Sequence, residues 1–587
     1  MGLCVFAGLL ALVGAAMAGP IIQTLNGRIE GVTETFRESD YLKVDKKIDI
    51  YRGIPFAEPP VGPRRFQPPV PVNSWSGTRN CAKHGPACIQ YFVSFSGMDE
   101  DCLFLNVYRP HTASKTAAVM VFIHGGAFFL GMGSMPEYFG QPISAVGDII
   151  YVSINYRLGP FGFLTTGDSE APGNVGLLDQ VMALKWVKDN IQRFGGDPDK
   201  ITIFGESAGS ASVSFHLISK HSQGLFKRAI MESGTSTSWF SYQRSLDYAK
   251  KQAMDVALQA GCTTDNSADM IACLQAVPQR ELRSKAYQVD LAYLPVVDGS
   301  FLHDTPENII AAGDFQKLDI LIGTMRDEGA LFAMVLDITS FFASKAPPMS
   351  RDKFLQTYPG WVYTYGDVPS NAAMKQAIET RYISESQTAD PTADYMDNYI
   401  RMMTDYTFVA PSDATANAHL REGTKVYMYQ MTHAPTVSMY HVFFLGPKWL
   451  GAVHADDIPT VFGNAWIPDL FYKTSKPLPE EMMLSNSVMT YWTNFAKTGD
   501  PNDGIVPNWP EYSLDQKQYK EISVYLPTKS GGVRQEYCTF WNEEIPKLVS
   551  DSDQIFTATK GIAAFIQAQN QVDQCIAEFE EDGVHIP

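Results

Sequence analysis

The stretch Phe204-Gly205-Glu206-Ser207-Ala208-Gly209 constrains this chain more than any other. It follows the short apolar run Ile201-Thr202-Ile203 and opens a segment rich in small residues, so it reads as a strand that turns sharply into a helix. A serine that attacks a carbonyl must stand on a turn so tight that its neighbours are small, and Gly205 and Gly209 permit that turn. Ala208 then offers its backbone N–H to a developing oxyanion. A bare G-x-S-x-G occurs often by chance; its place between a strand and a helix is what gives it weight.

A second element fits the first. Ala118-Val119-Met120-Val121-Phe122-Ile123 reads as a buried strand running into His124-Gly125-Gly126-Ala127-Phe128. Two successive glycines let the N–H groups of Gly125 and Gly126 approach a substrate oxygen with no side chain in the way, and with Ala208 they make three donors. Ala127 in place of a third glycine costs little, because main-chain groups are the donors. A plain glycine turn after a strand is the bland alternative.

The 587 residues suggest about four domains at ~150 residues each, a soft prior that large α/β folds exceed. No Gly/Ser or Pro-rich linker, charge block or internal repeat divides the chain, which predicts one large domain. At 45% hydrophobic and 12% aromatic residues it has the material for a sizeable core. With 46 basic against 64 acidic residues, net −18, it lacks the basic surface that phosphate binding needs, and a nucleic-acid partner is excluded.

Residues 1–18 have the pattern of a signal peptide: an apolar run from Val5 to Val13, then small residues ending in Ala16-Met17-Ala18 before Gly19. No later segment sustains the roughly 18 apolar residues that span a bilayer, so the mature chain is expected to be secreted, with no membrane span. No Asn-x-Ser/Thr acceptor occurs, and N-glycosylation is not expected. Of eight cysteines Cys4 leaves with the signal, and local spacing favours the short-loop bridges Cys88–Cys102 and Cys262–Cys273. Cys81, Cys538 and Cys575 stay unassigned, an odd number that leaves at least one thiol free or shared between chains. There is no C-x-x-C pair and no His/Cys cluster at zinc spacing, so no metal is expected.

The chain resembles the type-B carboxylesterase/cholinesterase family of α/β-hydrolases over nearly its whole mature length. The resemblance rests on Arg52-Gly53-Ile54-Pro55-Phe56-Ala57, Glu100-Asp101-Cys102-Leu103-Phe104-Leu105-Asn106-Val107, Asn155-Tyr156-Arg157, Gly176-Leu177-Leu178-Asp179-Gln180 and Phe194-Gly195-Gly196-Asp197-Pro198, beside the serine elbow. It implies an α/β fold, a large mostly parallel central sheet flanked by helices, over residues 19–548, with 549–587 a helical tail. Asp179 to Phe194 also reads independently as an amphipathic helix, with Val181, Leu184, Val187 and Ile191 on one side and Gly195 as its stop.

Such a fold takes its triad in the order serine, acid, histidine. After the apolar run Leu318-Asp319-Ile320-Leu321-Ile322 comes Gly323-Thr324-Met325-Arg326-Asp327-Glu328-Gly329, which resembles the family's acid loop and makes Glu328 the acid, with Asp327 the runner-up. Of the histidines beyond it, His419, His433, His441, His454 and His585, only His454 sits in a family-like setting, Trp449-Leu450-Gly451-Ala452-Val453-His454-Ala455-Asp456-Asp457. The resemblance implies that His454 takes the proton of Ser207 and later returns one to the leaving alcohol, with Glu328 holding its tautomer. The implied reaction is acyl transfer through an acyl-enzyme, with no cofactor.

The substrate is less sharply written. Cholinesterases carry a tryptophan for quaternary ammonium inside the loop closed by their first disulfide, and the loop from Cys88 to Cys102 holds none, which disfavours choline esters. His454-Ala455-Asp456-Asp457-Ile458 and Tyr491-Trp492-Thr493-Asn494-Phe495-Ala496 look more like the bile-salt-activated lipase branch, implying lipid-like esters such as acylglycerols or sterol esters; a general short-chain carboxylesterase is the alternative. Against that branch stand Glu328 where it uses Asp and the absence of a mucin-like tail. By family position Leu291 and Tyr293 would shape the acyl pocket, or else be core side chains. Non-catalytic adhesion relatives also use this fold, typically lacking a triad residue, whereas this chain keeps all three. In the tail, Ile562, Phe565, Val572, Ile576 and Phe579 fall at heptad spacing beside Cys575, a helix for joining subunits or for docking onto its own domain.

Overall fold

The computed structural model describes residues 19–550, apart from 92–96, 337–342, 358–371, 437, 439–447 and 467–477. The signal peptide expected at 1–18, His441, and nearly all of the tail expected at 549–587, with Cys575 in it, lie outside the described residues.

Three short strands, β1 (Ile21–Gln23), β2 (Arg28–Glu30) and β5 (Thr78–Asn80), form a small separate sheet. The remaining strands are β3 (Val32–Glu38), β4 (Val44–Pro55), β6 (Phe104–Pro110), β7 (Ala117–Ile123), β8 (Ile150–Ile154), β9 (Gly196–Glu206), β10 (Arg228–Glu232), β11 (Asp319–Met325), β12 (Val426–Met431), β13 (Tyr519–Ile522) and β14 (Thr528–Lys529). Among the described residues they make one sheet of 11 strands in the order β14-β13-β12-β11-β10-β9-β7-β8-β6-β4-β3. From β8 through β13 neighbours run parallel, and pairing turns antiparallel only toward the two edges.

The central strands are continuously apolar because helices cover both faces. Every residue of β7 and β8 is buried. Alternation decides which side each one serves. Val119, Val121, Ile123, Ile201 and Ile203 pack with the helices Val175–Asn190 and Ala208–Ile218 on one face. Met120, Phe122 and Phe204 pack with Leu484, Val488, Trp492 and Phe495 of the helix Pro479–Thr498 on the other. Burying each such side chain contributes about 1.5–3 kcal/mol. A third apolar cluster, with Phe332, Tyr399, Met402, Phe408 and Trp541, lies outside these two layers.

One boundary differs from expectation. The helix expected to begin at Asp179 begins at Val175, runs to Asn190, and tightens into a 3-10 turn over Ile191–Phe194 that Gly195 closes at φ 87°. Its start is set from far away: Asn174, at φ 55°, donates from its side-chain amide to the Val296 carbonyl at 2.8 Å and accepts from the Val296 N–H at 2.9 Å.

Register aligns the strand ends that matter. Ile123 lies opposite Gly205, Glu232 opposite Glu206, and Gly323 opposite Glu232. The loops leaving β7, β9, β10 and β11 therefore emerge side by side at the carboxyl edge of the sheet, where open α/β folds place their sites.

Candidate active site

Ser207 stands between the end of β9 and the helix Ala208–Ile218 with φ 58° and ψ −123°, a strained backbone for a residue with a side chain. The Ser207 N–H donates to the Glu232 carbonyl at 2.9 Å, and its own carbonyl accepts from the Ala211 N–H at 2.9 Å, so the turn is held at both ends. Gly209 leaves no choice of residue: a Cβ there would lie 2.0 Å from the Ile123 carbonyl oxygen.

The loop after β7 presses against this elbow. A Cβ on Gly125 would lie 3.1 Å from the Ser207 Cβ and 2.7 Å from the Glu206 carbonyl oxygen. Gly126 takes φ 105°, a region closed to most side chains. Among the described residues the N–H groups of Gly125, Gly126 and Ala208 donate to no protein acceptor, which leaves three adjacent donors for an oxyanion. His124 braces the loop: its ring lies 4.4 Å from that of Tyr156, and the Tyr156 hydroxyl donates to the His124 carbonyl at 2.9 Å.

Glu328 and His454, 126 positions apart, meet at 2.6 Å between Oε2 and Nδ1. Glu328 is fully buried, and its other oxygen accepts the Met325 N–H at 2.7 Å. Asp327, the alternative acid, turns away, pairs with Arg326 and accepts the Ala452 N–H. On the far side of the ring, His454 Nε2 lies 3.1 Å from Glu206 Oε1, close enough for charge attraction but out of line for a hydrogen bond. Nε2 makes no hydrogen bond to the Ser207 hydroxyl in this arrangement.

Four carboxyl groups crowd this region. Burial pushes Glu206 up to about 8, against the pull of His454 and with the help of Asp457 and Glu328. Burial raises Glu232 well above the carboxylate range, although Trp492 Nε1 donates to it at 2.5 Å. Burial and then Glu328 raise Asp457 to about 6. For His454 burial opposes the charge, but Glu206 and Glu328 outweigh it and hold the imidazole up at about 9. Glu206 and His454 are coupled: a charged Glu206 lifts the histidine, a charged His454 lowers Glu206, and the two titrate as one unit.

Residue-by-residue reading of the sequence missed this shell. Glu206 and Asp457 sat inside the motifs used to find Ser207 and His454, yet nothing local said that Glu206 lies beside the imidazole or that Asp457 is buried close enough to feel its charge. Phe408, whose ring lies 4.7 Å from that of His454, had no local signal at all. Leu291 packs with Phe129, which follows the loop after β7, and with Tyr287. Tyr293 is a core side chain whose hydroxyl donates to the Ala286 carbonyl at 2.7 Å.

The structure bridges Cys88 to Cys102 and Cys262 to Cys273, while Cys81 and Cys538 are buried thiols. Among the described residues no group of His, Cys, Asp and Glu is arranged to hold a metal, and no helix is long and apolar enough to cross a membrane.

Comparison with known proteins adds an independent line. The model of the carboxylesterase family matches residues 18–541. Acetylcholinesterase of Bungarus fasciatus is 33% identical over 540 residues, covering 88% of this chain and 86% of that protein. Neuroligin-2 of Homo sapiens is 34% identical over 606 residues, covering 92% of this chain and 69% of that protein.

Proposed function

The chain belongs to the carboxylesterase family, and from that premise we propose that it is a secreted serine hydrolase cleaving carboxylic esters through an acyl-enzyme. The observation that carries this reading is the 2.6 Å bond between buried Glu328 and His454 at the same sheet edge as the Ser207 elbow. In the proposed mechanism Glu328 fixes the Nδ1–H tautomer, His454 turns Nε2 toward Ser207 and takes its proton, and Ser207 attacks the ester carbonyl. The N–H groups of Gly125, Gly126 and Ala208 receive the oxyanion. His454 then protonates the leaving alcohol, and water returns by the same route to free the serine.

Lipid-like esters are the proposed substrates. The support is apolar: Leu291 and Phe129 flank the oxyanion loop, and Trp239, Phe332 and Phe408 stand as an aromatic group beside His454. A binding-only protein is the second reading, favoured by the similarity to neuroligin-2. Hydrolysis of p-nitrophenyl esters from acetate to palmitate, beside a Ser207→Ala control, separates these readings. Activity that persists to long chains and vanishes in the control supports the proposal. Activity restricted to short chains makes the protein a general carboxylesterase, and inactivity on every ester puts the binding reading first.

A further inference from the structure

Between the helices Met396–Thr404 and Ala410–Arg421 the chain does not continue as α-helix but widens into a π-turn over Asp405–Val409. Such turns weaken the helix that contains them and recur where function needs a side chain re-aimed. Three contacts tie this turn, and the residue before it, to the neighbourhood of the candidate site. Thr404 Oγ1 accepts the N–H of Gly329, the residue after Glu328, at 2.9 Å. Thr407 Oγ1 accepts from Trp239 Nε1 at 2.8 Å. Phe408 lays its ring 4.7 Å from that of His454, tilted by 36°.

The turn is anchored from behind. Asp405 is fully buried, pairs with Arg534 through both carboxylate oxygens, and accepts the Tyr382 hydroxyl at 2.9 Å. Trp541 Nε1 in turn donates to that hydroxyl at 2.8 Å. Every residue from Asp405 to Val409 is buried, so the turn is a fixed wall.

His454 needs such a wall. Its Nδ1 is held by Glu328, which leaves that bond as the axis about which the ring can turn. Its Nε2 lies 3.1 Å from Glu206 and makes no hydrogen bond to Ser207, so turnover requires the imidazole to swing from one toward the other. A ring packed against the imidazole restricts its free tilting and keeps the swing directed at the serine. Resting on the hydrolase reading above, we propose that Phe408, delivered by the π-turn, is a positioning residue for His454.

The test compares Phe408→Leu, which keeps an apolar group but removes the ring, with Phe408→Tyr, which keeps the ring. Turnover of p-nitrophenyl acetate and butyrate is normalised to the fraction of serine labelled at the end point by a fluorophosphonate, with Tm as the check on folding. We expect Phe408→Leu to lower kcat about 10-fold or more with KM nearly constant and the same loss for both acyl chains, and Phe408→Tyr to restore most of it. A change carried by KM and dependent on acyl length overturns the proposal and makes Phe408 a pocket wall. Unchanged kcat in a folded Phe408→Leu, or equal loss in both folded variants, also overturns it. The downfield Nδ1–H proton resonance of His454 gives a readout free of activity. Broadening in Phe408→Leu but not in Phe408→Tyr supports the positioning role even if the wild type cleaves no ester, an outcome that removes the hydrolase reading alone; an identical resonance in all three overturns the role.

Discussion

Asp327 and Ala452 exchange two hydrogen bonds: the Asp327 N–H donates to the Ala452 carbonyl at 3.0 Å, and the Ala452 N–H donates back to the Asp327 carboxylate at 2.9 Å. The loop that carries Glu328 is thereby latched to the loop that carries His454, two residues from the imidazole. Gly451 makes room for the latch, because a Cβ there would lie 2.1 Å from the Asp327 carboxylate.

The latch separates the two adjacent acids. Glu328→Gln keeps shape but cannot hold the Nδ1–H tautomer, and kcat should fall about 10⁴-fold. Asp327→Asn can still accept the Ala452 N–H and should keep most activity. Asp327→Ala leaves that buried N–H unpaired and should cost about 1–3 kcal/mol in denaturant melts. Equal losses of kcat in Glu328→Gln and Asp327→Asn would show that the acid has been assigned to the wrong residue.

In the proposed mechanism Glu206 tunes the pH at which His454 serves as base. His454 must be neutral to accept a proton, and its folded value is raised, so activity should be lost as pH falls through a range above the ordinary imidazole value. Glu206→Gln removes one of the two carboxylates that outweigh burial, and the acid limb of kcat/KM should move to lower pH. A limb that stays in place would mean that Glu206 is already neutral when the limb is read.

The loop after β7, which carries the proposed oxyanion donors, has no slack. Gly125→Ala would push a methyl group to within 2.7 Å of the Glu206 carbonyl oxygen, displacing the N–H donors. A loss of one donor costs about 3 kcal/mol of barrier, or 10²–10³ in kcat. Steady-state rates on a short ester, with end-point labelling of Ser207 as the fold control, measure it; near-wild-type kcat would remove Gly125 from the hole.

Glu137 gives a stability prediction away from the triad. It is fully buried, neither carboxyl oxygen has a hydrogen-bond partner among the described residues, and burial pushes it from 4.5 up to about 8. Between those values the unfolded chain has released a proton that the folded chain keeps, so this group's contribution to stability falls as pH rises. Glu137→Gln removes that dependence. Its Tm should match the wild type near the bottom of the window and exceed it near the top; a constant difference across pH would show that the carboxyl does not titrate there.

The sequence alone was enough for the features written into a few adjacent residues. The elbow at Ser207 and the glycines after β7 are local because a tight turn restricts its own neighbours, the loop at Glu328 was reached only through its resemblance to the family's acid loop, and β7 announces itself because a strand covered on both faces must be apolar throughout. The two disulfides were legible for the same reason, their partners lying 14 and 11 residues apart. What only the tertiary structure decided are contacts between distant segments. Glu206 on the imidazole, Asp327 on Ala452 rather than on His454, Asn174 tied to Val296, and the π-turn that brings Phe408 to the ring each depend on segments that lie far apart in the sequence and meet only in the folded chain. Neither partner's neighbours carry a trace of the other, because packing and burial, not local conformational preference, hold such pairs together.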